Sequence, residues 1–347
     1  MSRAKNSNLF SVAIVGATAL KGKEVRDILT ERSFPSIDVK LLDEEDALGT
    51  LEQVDDEPTF IQGVLPENLE GVDFAFLTAD ETYIEKMWAT VRDAGSEIID
   101  LSYALENNTN IDLRAPWVER ELGHTHKVGL QSVPVMIAHP AAVVMALLLA
   151  RLQKVSPIQV ASAVISQPAS EYGRRGMDEL HDQTVNLLSF QKMPTSVFGT
   201  QISFNLFAQP VDSAKPSLAE IERRIVRHFK AIVQDEVPTP AVLLMQAPVF
   251  HGYTIAMFIQ AKAGVTAEKL ESALAGAHVT VTNGQDEFPS NVNIAGSSVI
   301  LASVRPDGTS RKGFWLFAAC DNLRVSAIQA IECAEEMVQT RPRGQLQ

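Results

Sequence analysis

The stretch Phe10-Ser-Val-Ala-Ile-Val15, running directly into Gly16-Ala-Thr-Ala-Leu-Lys-Gly22, decides how this chain folds. A short apolar run that ends on glycine reads as a strand leading into a tight turn. Past the turn, Val25, Ile28 and Leu29 share one face at helical spacing, so an amphipathic helix follows. A glycine turn between a first strand and a first helix can bring backbone N–H groups and the helix N-terminus onto a pyrophosphate. Outward from it, a second strand over 39–42 ends in the acidic run Asp43-Glu-Glu-Asp46. Further strands are expected at 74–78 and 97–101, each reached through a helical stretch such as 81–94. Strands alternating with helices in this way predict an α/β fold built on a Rossmann-type, doubly wound parallel sheet.

The texture changes after Ser132. A long apolar helix over 141–152 leads to strands at 159–165, 242–250 and 254–261, with a polar amphipathic helix over 217–233 between them. This pattern predicts a mixed α+β second domain. The last helix, 325–340, most simply returns to the first domain. The expected division is therefore 1–132 with 321–347 for the Rossmann-type domain and 133–320 for the second, and 347 residues suit two cores. No internal repeat or low-complexity segment interrupts either part.

A formal net charge of -13, with no basic stripe, argues against a nucleic-acid partner. The polar residues 1–10 lack the apolar core of a signal peptide. The longest apolar run, 138–150, is interrupted by His139 and Pro140 and is too short for a bilayer, so no membrane partner and a cytoplasmic location are expected. Cys320 and Cys333 suggest neither a disulfide framework nor a zinc site. His124-x-His126 reads as a solvated loop, and no metal is expected.

The residues placed to meet a cofactor are Gly16, Ala17, Thr18 and Gly22, with Asp43 at the end of the second strand. The fully formed pattern would be G-x-x-G-x-x-G. Ala19 stands at its middle position and adds a Cβ where backbone should approach a phosphate. Asp43 could accept the 2′-hydroxyl of NAD, while four consecutive carboxylates repel the 2′-phosphate of NADP. The expectation is no cofactor, or weakly held NAD, with NADP disfavoured. Two plainer readings stand beside it: a turn kept only to join strand and helix, and a solvated acidic loop.

Several segments, in order, carry a resemblance that covers nearly the whole chain. They are Gly16-Ala-Thr, Ile99-Asp-Leu-Ser102, Ile137-Ala-His-Pro140, Gln167-Pro-Ala-Ser170, Phe204-Asn205, Gln246-Ala-Pro-Val-Phe-His-Gly252, and Trp315 with Asp321-Asn-Leu-Arg324. On these the chain resembles the aspartate-semialdehyde dehydrogenase family, and most of all its usg-type paralogues, which share the Phe-Asn-Leu and Gln-Ala-Pro-Val-Phe segments. The resemblance implies a reaction in which a cysteine thiolate attacks an aldehyde, hydride passes to NADP, and phosphate releases the acyl group. It also implies a histidine acid–base and two arginines for the anionic groups. Each role needs its residue type: a polarisable nucleophile, a group titrating near neutrality, and fixed cations.

Carried over by the resemblance, those roles fall on unsuitable residues. The nucleophile's place holds Ala142, and the histidine's place holds Tyr253, whose phenol titrates near 10. The carboxylate-binding arginine falls at Gln246 and the phosphate-binding arginine at Glu106, a reversal of sign. A small Ser-Gly-Ala-Gly loop reads Ser170-Glu-Tyr-Gly173. Gln167 keeps the family's glutamine, and Glu220-x-x-Arg223 resembles its Glu-x-x-Lys. His251, two residues before Tyr253, would share its face if the segment were extended, and is the one substitute base in view. Cys320 is the corresponding candidate for a displaced nucleophile, against a buried structural cysteine.

The reading is a pseudoenzyme of the family with a binding, regulatory or structural role, a homodimer through its second domain by the resemblance. The alternatives are an NAD(P)-dependent aldehyde or semialdehyde oxidoreductase using Tyr253 or His251, and a partner that forms a heteromer with a genuine dehydrogenase. The old substrate pocket is expected to be smaller and less cationic. A phosphate at 4 Å from Glu106 would meet about 4 kcal/mol of repulsion at an effective dielectric of 20. No phosphate or sulfate is therefore expected beside Gln167, unless Arg223 or Arg224 swings in.

Overall fold

The computed structural model describes residues 9–54, 57–124, 133–209, 214, 216–262, 264–282 and 287–340. His126 lies outside them, so the His124-x-His126 pair cannot be placed. By internal contacts the chain forms two units: Met1–Pro116 with His126–Ile137 and Ser326–Gln347, and Trp117–Thr125 with Ala138–Val325. These contact-based breaks fall at 137/138 and 325/326, where the sequence suggested 132/133 and 320/321.

The first unit begins with β1 (Phe10–Val15), α1 (Leu20–Glu31), β2 (Ser36–Asp43), β3 (Leu51–Val54), β4 (Glu57–Phe60), β5 (Gln62–Gly63) and α2 (Pro66–Leu69). It continues with β6 (Phe74–Leu77), α3 (Glu81–Asp93), β7 (Glu97–Asp100) and β8 (Asp112–Arg114); after α4 (Pro116–Leu122) comes β9 (Val135–Ile137). Seven strands pair in the order β5-β2-β1-β6-β7-β9-β8, and every recorded pairing among them is parallel. β1 and β6 are near-continuous apolar runs because strands of such a sheet are covered on both faces, and all of 12–15 and 74–77 is buried. The hairpin β3–β4, with its alternating exposed residues, was not read from the sequence.

The second unit contains α5 (Pro140–Val155), β10 (Val160–Gln167), α6 (Gly173–Leu188), α7 (Leu218–Val233), β11 (Ala241–Gln246), β12 (Tyr253–Gln260), α8 (Ala267–Leu274), β13 (Val279–Val281), β14 (Ile300–Pro306) and β15 (Gly313–Cys320). α9 (Asn322–Thr340) starts here and from Ser326 belongs to the first unit. The mixed sheet runs β11-β10-β12-β15-β14-β13. α5 is apolar on every side and buried from Pro140 to Leu152. Pro140 opens it at a position where the missing N–H costs nothing, and the His139 side chain accepts from the Ala141 N–H. α7 starts with a reciprocal capping box between Ser217 and Glu220, and Glu220 is thereby committed to its own helix end.

The strand expected over 242–250 stops at Gln246. Beyond it the chain leaves the ladder and bends at Gly252 (φ +83) before β12 begins. One face of the sheet packs under helices, with α7 against β11 and α8 against β14. The other face carries Val160, Val164, Leu243 and Phe317 in exposed positions. Register aligns Val164 with Leu243 and with Ala256, and Ala256 with Phe317, so these side chains form one continuous apolar band.

Candidate functional site

In the first unit the glycine turn is shaped by close packing. Gly16 adopts φ +95, and a Cβ there would lie 2.3 Å from the Ala79 nitrogen. A Cβ on Gly22 would lie 2.1 Å from the Gly16 carbonyl oxygen. Both glycines are thus needed for α1 to sit against the ends of β1 and β6, whether or not a phosphate arrives. Ala19 is the residue before α1, and no side chain caps that helix start. The first N–H groups of α1 therefore keep the orientation an anion would need.

Asp43 is buried, and its carboxylate fastens the turn. One oxygen accepts from the Thr18 N–H and hydroxyl, both at 2.7 Å, and the other accepts from the Glu44 N–H at 2.9 Å. A ribose hydroxyl would have to share oxygens already in use. Glu44, Glu45 and Asp46 stand outside, exposed. Burial first, then Asp43 and Asp80, raise the Glu44 carboxyl above its usual range. Burial, followed by Asp43, Glu44 and Glu45, pushes the Tyr83 phenol up to about 12. The end of β2 is thus strongly electronegative, a poor place for a 2′-phosphate. Lys21, which the sequence reading passed over, donates to the Leu101 carbonyl at 2.7 Å and lies 4.4 Å from the Tyr103 ring centroid. Glu106 follows in the same loop, partly exposed.

In the second unit, Ala142 is in the first turn of α5 and fully buried. Gln167 and Gln246 end the paired strands β10 and β11 and bond each other. Gln167 Nε2 donates to Gln246 Oε1 at 3.1 Å, and Gln246 Nε2 donates to the carbonyls of Gln167 and Ala247 at 3.2 and 3.1 Å. The amide at 246 is occupied by neighbouring amides. Tyr172 is buried beside them; burial and then Glu171 push its phenol up. Among the described residues, a cavity of about 10 Å³ lined by Tyr172, Phe198, Phe207, Ala214, Leu218 and Gln246 remains here. That is room for one water and not for an amino-acid aldehyde.

Tyr253, fully buried, donates its hydroxyl to Glu171 Oε2 at 2.9 Å. His139 Nε2 lies 3.3 Å from Glu171 Oε1, and the His139 and Tyr253 rings meet edge to face at 5.5 Å. This three-residue cluster, which no spacing in the sequence signals, joins the start of α5, the 3₁₀ turn Ala169–Tyr172 and the first residue of β12. The expectation that His251 shares the Tyr253 face required an extended segment, whereas β12 begins only at Tyr253 and Gly252 before it adopts φ +83. It is half-buried, burial lowers its pKa against an opposing pull from Asp321, and its carbonyl accepts from Asn291. Arg223 is exposed and bonds the Ala219 carbonyl of its own helix, while Arg224 is buried. Cys320 is buried opposite Tyr253 in the sheet, and burial with the adjoining Asp321 pushes its thiol up, away from the thiolate a nucleophile needs. No group of three or more His, Cys, Asp or Glu among the described residues could hold a metal, and no described helix is long and apolar enough to cross a membrane.

A parallel sheet opened by a glycine turn, followed by a mixed six-stranded sheet with a bare apolar face, defines a two-unit architecture of the NAD(P)-dependent dehydrogenase class. Residues 11–126 match the semialdehyde dehydrogenase NAD binding domain and residues 145–325 the semialdehyde dehydrogenase dimerisation domain, so the chain belongs to the semialdehyde dehydrogenase family. It is similar to aspartate-semialdehyde dehydrogenase of Rickettsia bellii, 28% identical over 95% of this chain and 98% of the relative. It is equally similar to the USG-1 protein homolog of Azotobacter vinelandii, 28% identical over 96% and 98%. Among solved structures, aspartate semialdehyde dehydrogenase II of Vibrio cholerae, complexed with ASA, aligns with TM-score 0.83 and 25% identity over 96% of this chain and 99% of that one.

Proposed function

We propose that this chain is a non-catalytic member of its family with a binding, regulatory or structural role. The observation that carries this reading is the buried Ala142 at the start of α5, a methyl group where the resemblance puts a thiolate. The closed surroundings of Gln167, Gln246 and Glu171 support it. The test is phosphate-dependent NADP reduction with aspartate semialdehyde, for which no turnover is expected.

The start of α1, which no side chain caps, favours residual NAD binding and keeps the alternative of an NAD-linked oxidoreductase in play. Calorimetric titration separates the readings. Any dinucleotide bound should be NAD, with NADP at least about tenfold weaker, or roughly 1.4 kcal/mol. Glu44→Lys with Glu45→Lys should erase that preference. Tighter binding of NADP by the native chain would mean that the acidic run does not face the ribose.

A homodimer is expected to form through the apolar band of the second unit. A heteromer with an active relative would use the same band. Leu243→Asp combined with Val164→Asp should convert a dimer to monomer in sedimentation, because two carboxylates would be desolvated at the centre of the contact. An unchanged sedimentation coefficient would place the contact elsewhere.

A further inference from the structure

The cluster at the start of α5 has the geometry of a receptor already holding its ligand. His139 is fixed twice: its backbone N–H donates to His228 Nδ1 at 3.0 Å, and its own Nδ1 accepts from the Ala141 N–H at 3.2 Å. A neutral imidazole whose Nδ1 accepts carries its proton on Nε2. That N–H faces Glu171 Oε1 at 3.3 Å. The Tyr253 hydroxyl faces the other oxygen, Oε2, at 2.9 Å. The two donor atoms are 3.4 Å apart, so one carboxylate with two oxygens spans both. His139 and Tyr253 are set by a helix start and a strand, both fully buried, and the Glu171 side chain is only 7% exposed. The acceptor comes from a short turn; the donors come from regular elements that hold their positions.

We propose that His139 and Tyr253 form a latent site for a small carboxylate, and that Glu171 occupies it as an intramolecular ligand. Truncating Glu171 to alanine removes a CH₂–COO⁻ group, the bulk and charge of one acetate ion. The inference rests on the closed-site reading above, but it is tested separately. Turnover of the semialdehyde would defeat that reading and leave carboxylate binding untouched.

The experiment is thermal unfolding of the full-length native chain, Glu171→Ala, Glu171→Ala with Tyr253→Phe, and Glu171→Gln. Each is measured in 50–100 mM sodium acetate and in sodium chloride of equal ionic strength, with acetamide as the neutral control. Glu171→Ala is expected to melt several degrees below the native chain in chloride and to regain at least half of that loss in acetate, through binding to the folded state alone. Acetamide should give no gain, and the acetate gain should vanish in the double variant. The native chain should not respond. A folded Glu171→Ala chain that ignores acetate would overturn the proposal, as would an equal acetate gain in the native chain. If Glu171→Ala folds only in acetate, the proposal stands. If it folds in neither salt, Glu171→Gln decides. That amide keeps the shape but turns an N–H towards a donor, so it should melt clearly lower than the native chain. A native-like melting point would overturn the proposal.

Discussion

Gly22→Ala is expected to destabilise the first unit by about 3–4 kcal/mol and to lower its melting temperature by roughly 10 °C. The helical preference works the other way, since alanine normally gains about 1 kcal/mol over glycine inside a helix. Sterics decide the sign. The added Cβ would stand 2.1 Å from the Gly16 carbonyl oxygen and 2.9 Å from Thr78 Oγ1. Neither atom is the loose end of a flexible side chain. Thr78 Oγ1 donates to the carbonyl oxygens of Val15 and Gly16, 2.9 Å from each, and Gly16 cannot retreat because Ala79 is against it. Unfolding followed by circular dichroism, without any nucleotide present, measures the effect. A variant that melts within 2 °C of the native chain would show that the turn relaxes, and that packing is not the reason for the glycine.

That prediction bears on a question the sequence left open, whether the glycine turn exists for a cofactor or for the fold. In the fold both glycines are required by backbone contacts alone, so their presence is no argument for bound nucleotide. β1, β2, β6 and β7 were legible because burial makes them apolar runs bounded by turns, whereas β5, β8 and β9, of two or three residues each, are too short to show a pattern. α6 was not legible, because Glu179 and Gln183 stand beside Leu180 among its inward positions. The Glu179 carboxylate accepts from Ser196 Oγ and the N–H groups of Val197 and Phe198, and Gln183 makes four bonds to the same loop. A helix that buries carboxylate and amide groups to hold a loop shows no hydrophobic stripe to find. Altered positions such as Ala142 and Tyr253 could be read by resemblance. What they touch could not: residues 139, 171 and 253 meet only through the fold, so sequence showed separate losses where the structure shows one cluster. Between His251 and Tyr253 the extended geometry assumed from sequence is interrupted by Gly252 at φ +83.

The second large effect concerns catalysis. Removing the nucleophile from a site of this kind costs roughly 10⁶-fold in rate. On the reading proposed here, restoring it by Ala142→Cys should not recover activity, because three further obstacles remain. Tyr253, where the resemblance puts the histidine, spends its hydroxyl on Glu171. The Gln246 amide is taken up by Gln167 and by backbone carbonyls, with about 10 Å³ of free space beside it. Lastly, the charge that would hold a substrate carboxylate is absent at Gln246. Ala142→Cys is therefore expected to stay within about tenfold of background, where a lone thiol contributes little without a base to activate it.

Loss of the family's catalysis is measured by phosphate-dependent NADP reduction with aspartate semialdehyde, using the purified native chain beside a mock preparation and an active relative. The expected rate is indistinguishable from the mock. Turnover above the mock that is abolished by His251→Ala or Cys320→Ser would contradict it, and would show that the chain performs the family's reaction with displaced residues.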